Sequence, residues 1–297
     1  MSLKVVKPIE VTPGMLTSSV PVDDYPGWNA DATYAAEQRV VYEFQVWQSN
    51  QDANTGKQPA TNGTWWVAVG PVNRMKAFDR SHTTKTRFSH SAWFEIQLEG
   101  TVNALALMEC EGLRSVRIQV EHPSYGLLYE QTVGMWSISQ KSSWYDWVYG
   151  ERREQDSLYR FDLPSYRGAH VRIEIEAAND AAIGVILLGQ QQDIGFGVSP
   201  GLSMGIRDYS RKETDQWGEV TLQKRAYARE RSFKVNCLKS ELDNTDRLLT
   251  SLRATPALWL LSNQYQQANV YGWASDYKLL VDYGPYCVLS LQLEGLI

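Results

Sequence analysis

Residues 65–79 read WWVAVGPVNRMKAFD, and the whole chain is organised around them. Two tryptophans lead a short apolar run, Gly70-Pro71 breaks it, and a polar Asn73-Arg74 pair precedes Met75, Phe78 and Asp79. Strand alternation puts Trp65, Val67 and Val69 on one side and Trp66 and Ala68 on the other. Proline brings no backbone donor and restricts the residue before it, so the strand is predicted to end there. The sequence before this point reads as a small aromatic module and the sequence after it as larger β-sandwich material.

Upstream, Arg39–Gln48 (RVVYEFQVWQ) reads as the partner strand, with Val40, Tyr42, Phe44 and Val46 on one face and Val41, Glu43, Gln45 and Trp47 on the other. The polar stretch between the two strands carries Asn54-Thr55-Gly56 and Asn62-Gly63, both turn formers. A hairpin-like module follows from this pattern. Residues 1–37, with Pro8, Pro13, Pro21 and Pro26 among Thr, Ser and Asp, read as an extended arm, either laid across a neighbouring subunit or loose.

Downstream, Phe94/Ile96/Leu98, Val116/Ile118/Val120 and Val171/Ile173/Ile175 alternate with polar residues, and 182–188 is a continuous apolar run. Period-two patterns bounded by turn residues predict an antiparallel sandwich, jelly-roll-like over 75–194. Within it, 134–166 is long for a sandwich loop. It gathers Trp136, Trp144, Tyr145, Trp147, Arg152 and Arg153, the residue types that interface cores favour, although a cover for an open sandwich end fits equally. From 195 onward, 203–210 and 219–227 read as two strands joined by a polar turn. Phe233/Val235/Cys237 alternate, and Ser240 with Asp243 reads as a capping box for a helix over about 240–254. Three more strands, Ala257–Leu261, Tyr271–Asp282 and one carrying Cys287, Leu289, Leu291 and Leu293, close the chain. The predicted class is all-β and multidomain: an arm (1–37), a small aromatic hairpin module (38–74), a jelly-roll-like sandwich (75–194), and a C-terminal β-barrel or sandwich with one helix (195–297).

Composition bounds the function. A net charge of −5 with dispersed basic residues opposes a nucleic-acid footprint. No export signal is read in the first residues and no run approaches the roughly 20 apolar residues that span a bilayer, so folding in a cytoplasm without membrane insertion is expected. Cys110, Cys237 and Cys287 form no CxxC pair and are expected to be buried thiols. The four histidines lack metal-ligand spacing, Glu95/Glu99 and Glu174/Glu176 read as solvated strand faces, and neither a nucleophile elbow nor a Walker loop occurs. No catalytic set, metal or cofactor is expected. Eleven tryptophans and sixteen tyrosines suit strands, interfaces and sugar-binding faces. Trp28, Trp47, Trp65 and Trp66 are the candidates for stacking against a glycan, with packing of a small core as the competing use.

The aromatic hairpin ending in WWVAVGPVNRMKAFD resembles a segment of tailed-phage and prophage tail proteins, in which a GPTNR-type motif and a Met/Phe-Asp pair follow a module similar to chitin-type carbohydrate-binding modules. SSWYDWVYG, DYSRKETDQWGEVTLQKRAYARE, LLTSLRATPALWL, VYGWASDYKLLVDYG and YCVLSLQLEGL resemble that family's remaining blocks in the same order. The resemblance implies a non-enzymatic virion protein of the tail tip or baseplate, similar in its C-terminal section to the ring-forming domains of distal tail proteins. Its implied partners are other tail and baseplate proteins and further copies of itself in a symmetric homo-oligomer; a glycan-binding module for host-surface attachment is the alternative reading.

Overall fold

The computed structural model describes residues 3–81, 83–138, 144, 152–261, 268–281 and 284–296. Strands dominate, and the fold is the all-β, multidomain class expected. Two units divide the chain: Glu10–Leu188, and Met1–Ile9 together with Gly189–Ile297. The chain passes from one to the other inside the strand His170–Ile194.

In the first unit the opening stretch acts as a fastener. The strand Trp66–Pro71 ends at the proline, and Asn73–Lys76 forms one turn of α-helix. Asn73 bonds the backbone of Arg87 twice, its amide nitrogen donating to the Arg87 carbonyl at 2.7 Å and its amide oxygen accepting the Arg87 N–H at 2.9 Å. Arg74 Nε donates to the Val20 carbonyl at 2.6 Å, and Thr86 Oγ1 bridges the Asn73 carbonyl and the Ala77 N–H. Asp79 accepts from Ser81 N–H and Thr84 Oγ1. Met75 and Ala77 are buried, and Phe78 meets Phe94 edge-on at 5.8 Å. The motif's polar side chains are therefore spent on backbone groups that would otherwise lack partners.

Around this fastener lie the antiparallel pairs Thr86–Gln97 with His170–Ile183, Ala104–His122 with Gly126–Gly134, and Ala104–His122 with Ser157–Arg160. Their inward residues are those the alternation identifies: Phe94, Ile96, Val116, Ile118, Val120, Val171, Ile173 and Ile175 are all at most 1% exposed. The apolar run 182–188 is buried throughout.

The aromatic module departs from the expected single hairpin. Arg39–Gln48 is not one strand but two, Arg39–Tyr42 and Gln45–Ser49, paired through a tight turn at Glu43-Phe44 and joined by Trp66–Pro71. Both turn residues have positive φ, 50° and 62°, the primed-turn geometry usually supplied by Asn-Gly. The reversal puts Val46 on the face opposite Val40 and Tyr42, where a continuous strand would have kept them together.

The second unit begins where an arm is expected. Leu3–Pro8 is a strand between two others, paired along its length with 189–194 and over Lys4–Val6 with Ala257–Leu260. Leu3, Val5 and Val6 are fully buried, so this part of 1–37 is core and not an arm. Further on, Leu16–Ser18 pairs with the Thr86–Gln97 strand of the first unit. The second unit's sheet runs from 189–194 through Leu3–Pro8, Ala257–Leu260, Val270–Val281, Tyr286–Gly295 and Tyr227–Leu238 to Gly197–Val198. Its first and last members come from one run of chain, which closes the sheet into a barrel. Closure depends on Gly195: its φ is +63°, and a Cβ there would lie 2.4 Å from the Asn236 carbonyl oxygen. The barrel core holds Phe233, Val235, Cys237, Trp259, Cys287, Leu289, Leu291 and Leu293. The helix Leu242–Ser251 seats Leu249 in that core; Glu241 precedes it after a 3-10 turn, and no side-chain cap bond forms, so the expected capping box is absent.

Candidate functional site

The four tryptophans proposed for glycan stacking come together but mostly point inward. Trp66 is 1% exposed, its indole donates to the Lys57 carbonyl at 2.8 Å, and Tyr34 meets it edge-on at 5.3 Å. It has no ring face to offer a sugar and is removed from the stacking set. Trp28, Trp47 and Trp65 are half-buried against the same cluster of Tyr34, Val40 and Trp66. Trp28 meets Tyr42 edge-on at 5.5 Å, Trp47 donates to the Tyr42 carbonyl at 3.3 Å, and Lys57 Nζ lies 5.9 Å from the Trp65 ring centre. A module of a three-stranded sheet and one two-residue strand pair has little else with which to fill its centre.

The stretch 134–166 is described in part. Trp136–Ile138 pairs with Arg152–Glu154 in a two-stranded ribbon, with Trp136 half-exposed and Trp144 largely exposed. Tyr145 and Trp147 lie outside the described residues, and for Arg152 and Arg153 the strand position alone is described.

Of the acids read as strand-face residues, Glu95 and Glu174 sit in an ion-pair ladder, and Glu176 accepts from Ser115 Oγ at 2.9 Å. Arg172 contacts Glu174 at 2.8 Å and Glu95 at 3.2 Å and lies 4.7 Å above the Trp93 ring, while Arg117 holds Glu174 and Glu130. A recess of about 340 Å³ is lined by Arg87, Ser89, Glu111 and Asp180, three of which are engaged with partners: Ser89 with Asp180 at 2.5 Å and Glu111 with Lys85 at 2.7 Å. Among the described residues no three His, Cys, Asp or Glu side chains gather as metal ligands. The three cysteines are free and buried; burial pushes the Cys110 thiol up to about 12 and the Cys237 thiol to about 11.

Among the described residues, a further group of exposed apolar side chains lies on 203–227, a stretch whose sequence shows only two strands and a turn. Ser203–Asp208 pairs with Tyr227–Ser232, and the ribbon continues as Arg211–Thr214 paired with Val220–Gln223. Asp215 caps the tip, accepting from the N–H groups of Trp217 and Glu219 at 2.8 Å each. At the base, Arg207 pairs with Glu230 at 2.7 Å and Glu294 at 3.3 Å, and Tyr209 donates to Glu294 at 3.2 Å. Apart from Ser210, every residue from 203 to 227 is exposed. The register puts Lys212, Thr214, Val220 and Leu222 on one face of the outer section and Arg211, Glu213, Thr221 and Gln223 on the other. Large apolar side chains nonetheless stand in water along this arm: Met204, Ile206, Val220, Tyr227, Leu222 (73% exposed) and, at the tip, Trp217 (83%). The strand pattern that reveals the hairpin cannot reveal this, because alternation looks the same whether the apolar face is covered or bare.

No family model matches the chain, and no curated protein does. Among solved structures, chitosan-binding module 1 of a chitosanase/glucanase from Paenibacillus sp. IK-5, in a selenomethionine-labelled mutant form, is similar at 16% identity over 39% of this chain and 83% of that one, with a TM-score of 0.26. A likeness at that score carries no argument about this chain's fold or ligand.

Proposed function

We propose that the chain is a non-enzymatic structural subunit of the tail tip or baseplate of a long-tailed phage, working through contacts with copies of itself and with other tail proteins. The observation that carries this reading is the 203–227 arm: two successive antiparallel pairings with six or more large apolar side chains in solvent. Exposed apolar surface gathered on one element favours a protein contact. The sequence blocks that resemble tail proteins, the ribbon at Trp136 and the ion-paired strand acids agree with it. The test has two parts. Electron microscopy of the purified chain is expected to show ring-shaped symmetric oligomers, and mass spectrometry of purified tailed particles from the encoding host is expected to find the protein. A monomer that is also missing from particles would end the proposal.

A second role, gripping a surface glycan, is favoured by the half-exposed Trp47 and Trp65 rings. Trp65→Ala is expected to abolish retention on bacterial envelope polysaccharide with the fold intact; unchanged retention would remove that role.

A further inference from the structure

The recess beside Arg87 holds one unmatched charge of each sign. It lies across three strands of the first unit, Thr86–Gln97, Ala104–His122 and His170–Ile194. The register puts Arg87 opposite Ala182, and Ser89 opposite Asp180, on one face. On the neighbouring strand Lys85 pairs with Glu111 at 2.7 Å and lies 3.6 Å from Glu109. Its hydrogen bond and charge hold the Glu111 carboxyl below the ordinary value, and Arg87 adds only the smallest contribution. The partner of the Asp180 carboxylate is the uncharged Ser89 hydroxyl. Among the described residues the Arg87 guanidinium makes no hydrogen bond or ion pair, and Asp180 has no cationic partner. With alanine across from Arg87, Asp180 stands at the diagonal position, about 7–8 Å away along the sheet.

The backbone makes the room. His90, Glu109 and Gly112 have φ of 63°, 55° and 71°, and the pairing of the third strand shifts register between Glu176 and Asp180. Irregularities of this kind re-aim side chains and are frequent beside binding sites. The floor is apolar, with Ala181 and Ala182 buried and Phe88 half-buried, while Arg87, Ser89, Glu111 and Asp180 form an exposed rim. A volume of about 340 Å³ sits at the lower end of the roughly 300–1,000 Å³ of small-molecule sites.

The geometry points to a site for a small zwitterion of the α-amino acid class, its carboxylate on the Arg87 fork, its ammonium on Asp180 and a short apolar side chain over the Ala181–Ala182 floor. An anion alone would face Asp180 and Glu111, a cation alone would face Arg87 and Lys85, and a neutral ligand would leave both charges unmatched. A molecule carrying both signs one carbon apart gives each a charge-assisted hydrogen bond, and the parallel N–H groups of a guanidinium fit the two oxygens of a carboxylate. The site is distinct from the tryptophan module and rests on neither the assembly reading nor the glycan role.

The test is saturation-transfer difference NMR on the full-length chain with L-alanine and L-leucine, run beside N-acetyl-alanine, alaninamide and methyl glucoside. Both amino acids are expected to bind, and the two alanine derivatives, each lacking one charge, to bind roughly tenfold more weakly or worse. Arg87→Gln and Asp180→Asn are each expected to lose about tenfold in affinity or more. Both side chains are exposed, so the thermal midpoint stays unchanged, and Trp65→Ala binds as the native chain does. Equal binding of either derivative would show that one charge suffices. Binding of methyl glucoside in place of the amino acids would show a polyol site, and unchanged affinity in both variants a site elsewhere. Each of these results, like no binding by either amino acid, overturns the proposal.

Discussion

At the residue scale, the side chains that look most like a functional motif are holding backbone. Asn73 imitates a strand partner for Arg87, so Asn73→Ala strips two hydrogen bonds from a half-buried position. The expected loss is roughly 1–3 kcal/mol of unfolding free energy, read by urea denaturation with an unchanged slope. Trp66 teaches the same lesson, since an indole that donates to Lys57 and is closed in by Tyr34 is a core residue whatever its neighbours do. The thiols supply a pH prediction. Burial, aided by the nearby Asp156 and Glu109 charges, raises the Cys110 thiol to about 12 and so keeps it protonated in the folded state. The unfolded chain binds fewer protons above the ordinary value of 9.0, so stability is full below that pH and falls between it and about 12. The slope is about 1.4 kcal/mol per pH unit for each such thiol. Cys110→Ala is expected to flatten the alkaline limb of a stability–pH curve; an unchanged limb would refute the assignment.

At the element scale, what could be read in the sequence depended on whether local signals agreed with the final partners. The strands at 94–98, 116–120, 171–175 and 233–237 alternate cleanly because one face of each is buried, and the structure buries those residues. The Glu43-Phe44 turn was not legible, since neither residue carries the glycine or asparagine that normally marks two successive positive φ angles. Leu3–Pro8 was misread for a different reason. Six residues with two lysines and a proline, near further prolines, look like an extended arm, and their pairing partners lie about 190 and 250 positions away. The prediction that follows is specific: removing residues 3–8 takes a central strand and the fully buried Leu3, Val5 and Val6 out of the barrel. The C-terminal unit is expected to lose its cooperative thermal transition, measured by calorimetry, and a retained transition would contradict the register.

At the scale of the whole molecule, the class was legible and the threading was not. Composition and period-two patterning specify sheets and cores, but the barrel is assembled from both chain ends, with Gly195 turning the run that supplies its first and last strands. The aromatic richness, which suits strands, interfaces and sugar-binding faces alike, divides between a small module's interior and exposed positions elsewhere, the 203–227 arm among them. Trp217 and Leu222 stand in water on a unit that has its own buried core, and the proposed assembly rests on that exposure. The most direct measurement is the solution mass, by sedimentation velocity, of the intact chain beside a variant whose residues 209–226 are replaced by Asn-Gly, a turn that rejoins the paired Asp208 and Tyr227. The account predicts a closed oligomer for the intact chain and a monomer with an unchanged thermal midpoint for the shortened one. Equal masses for the two proteins would contradict it.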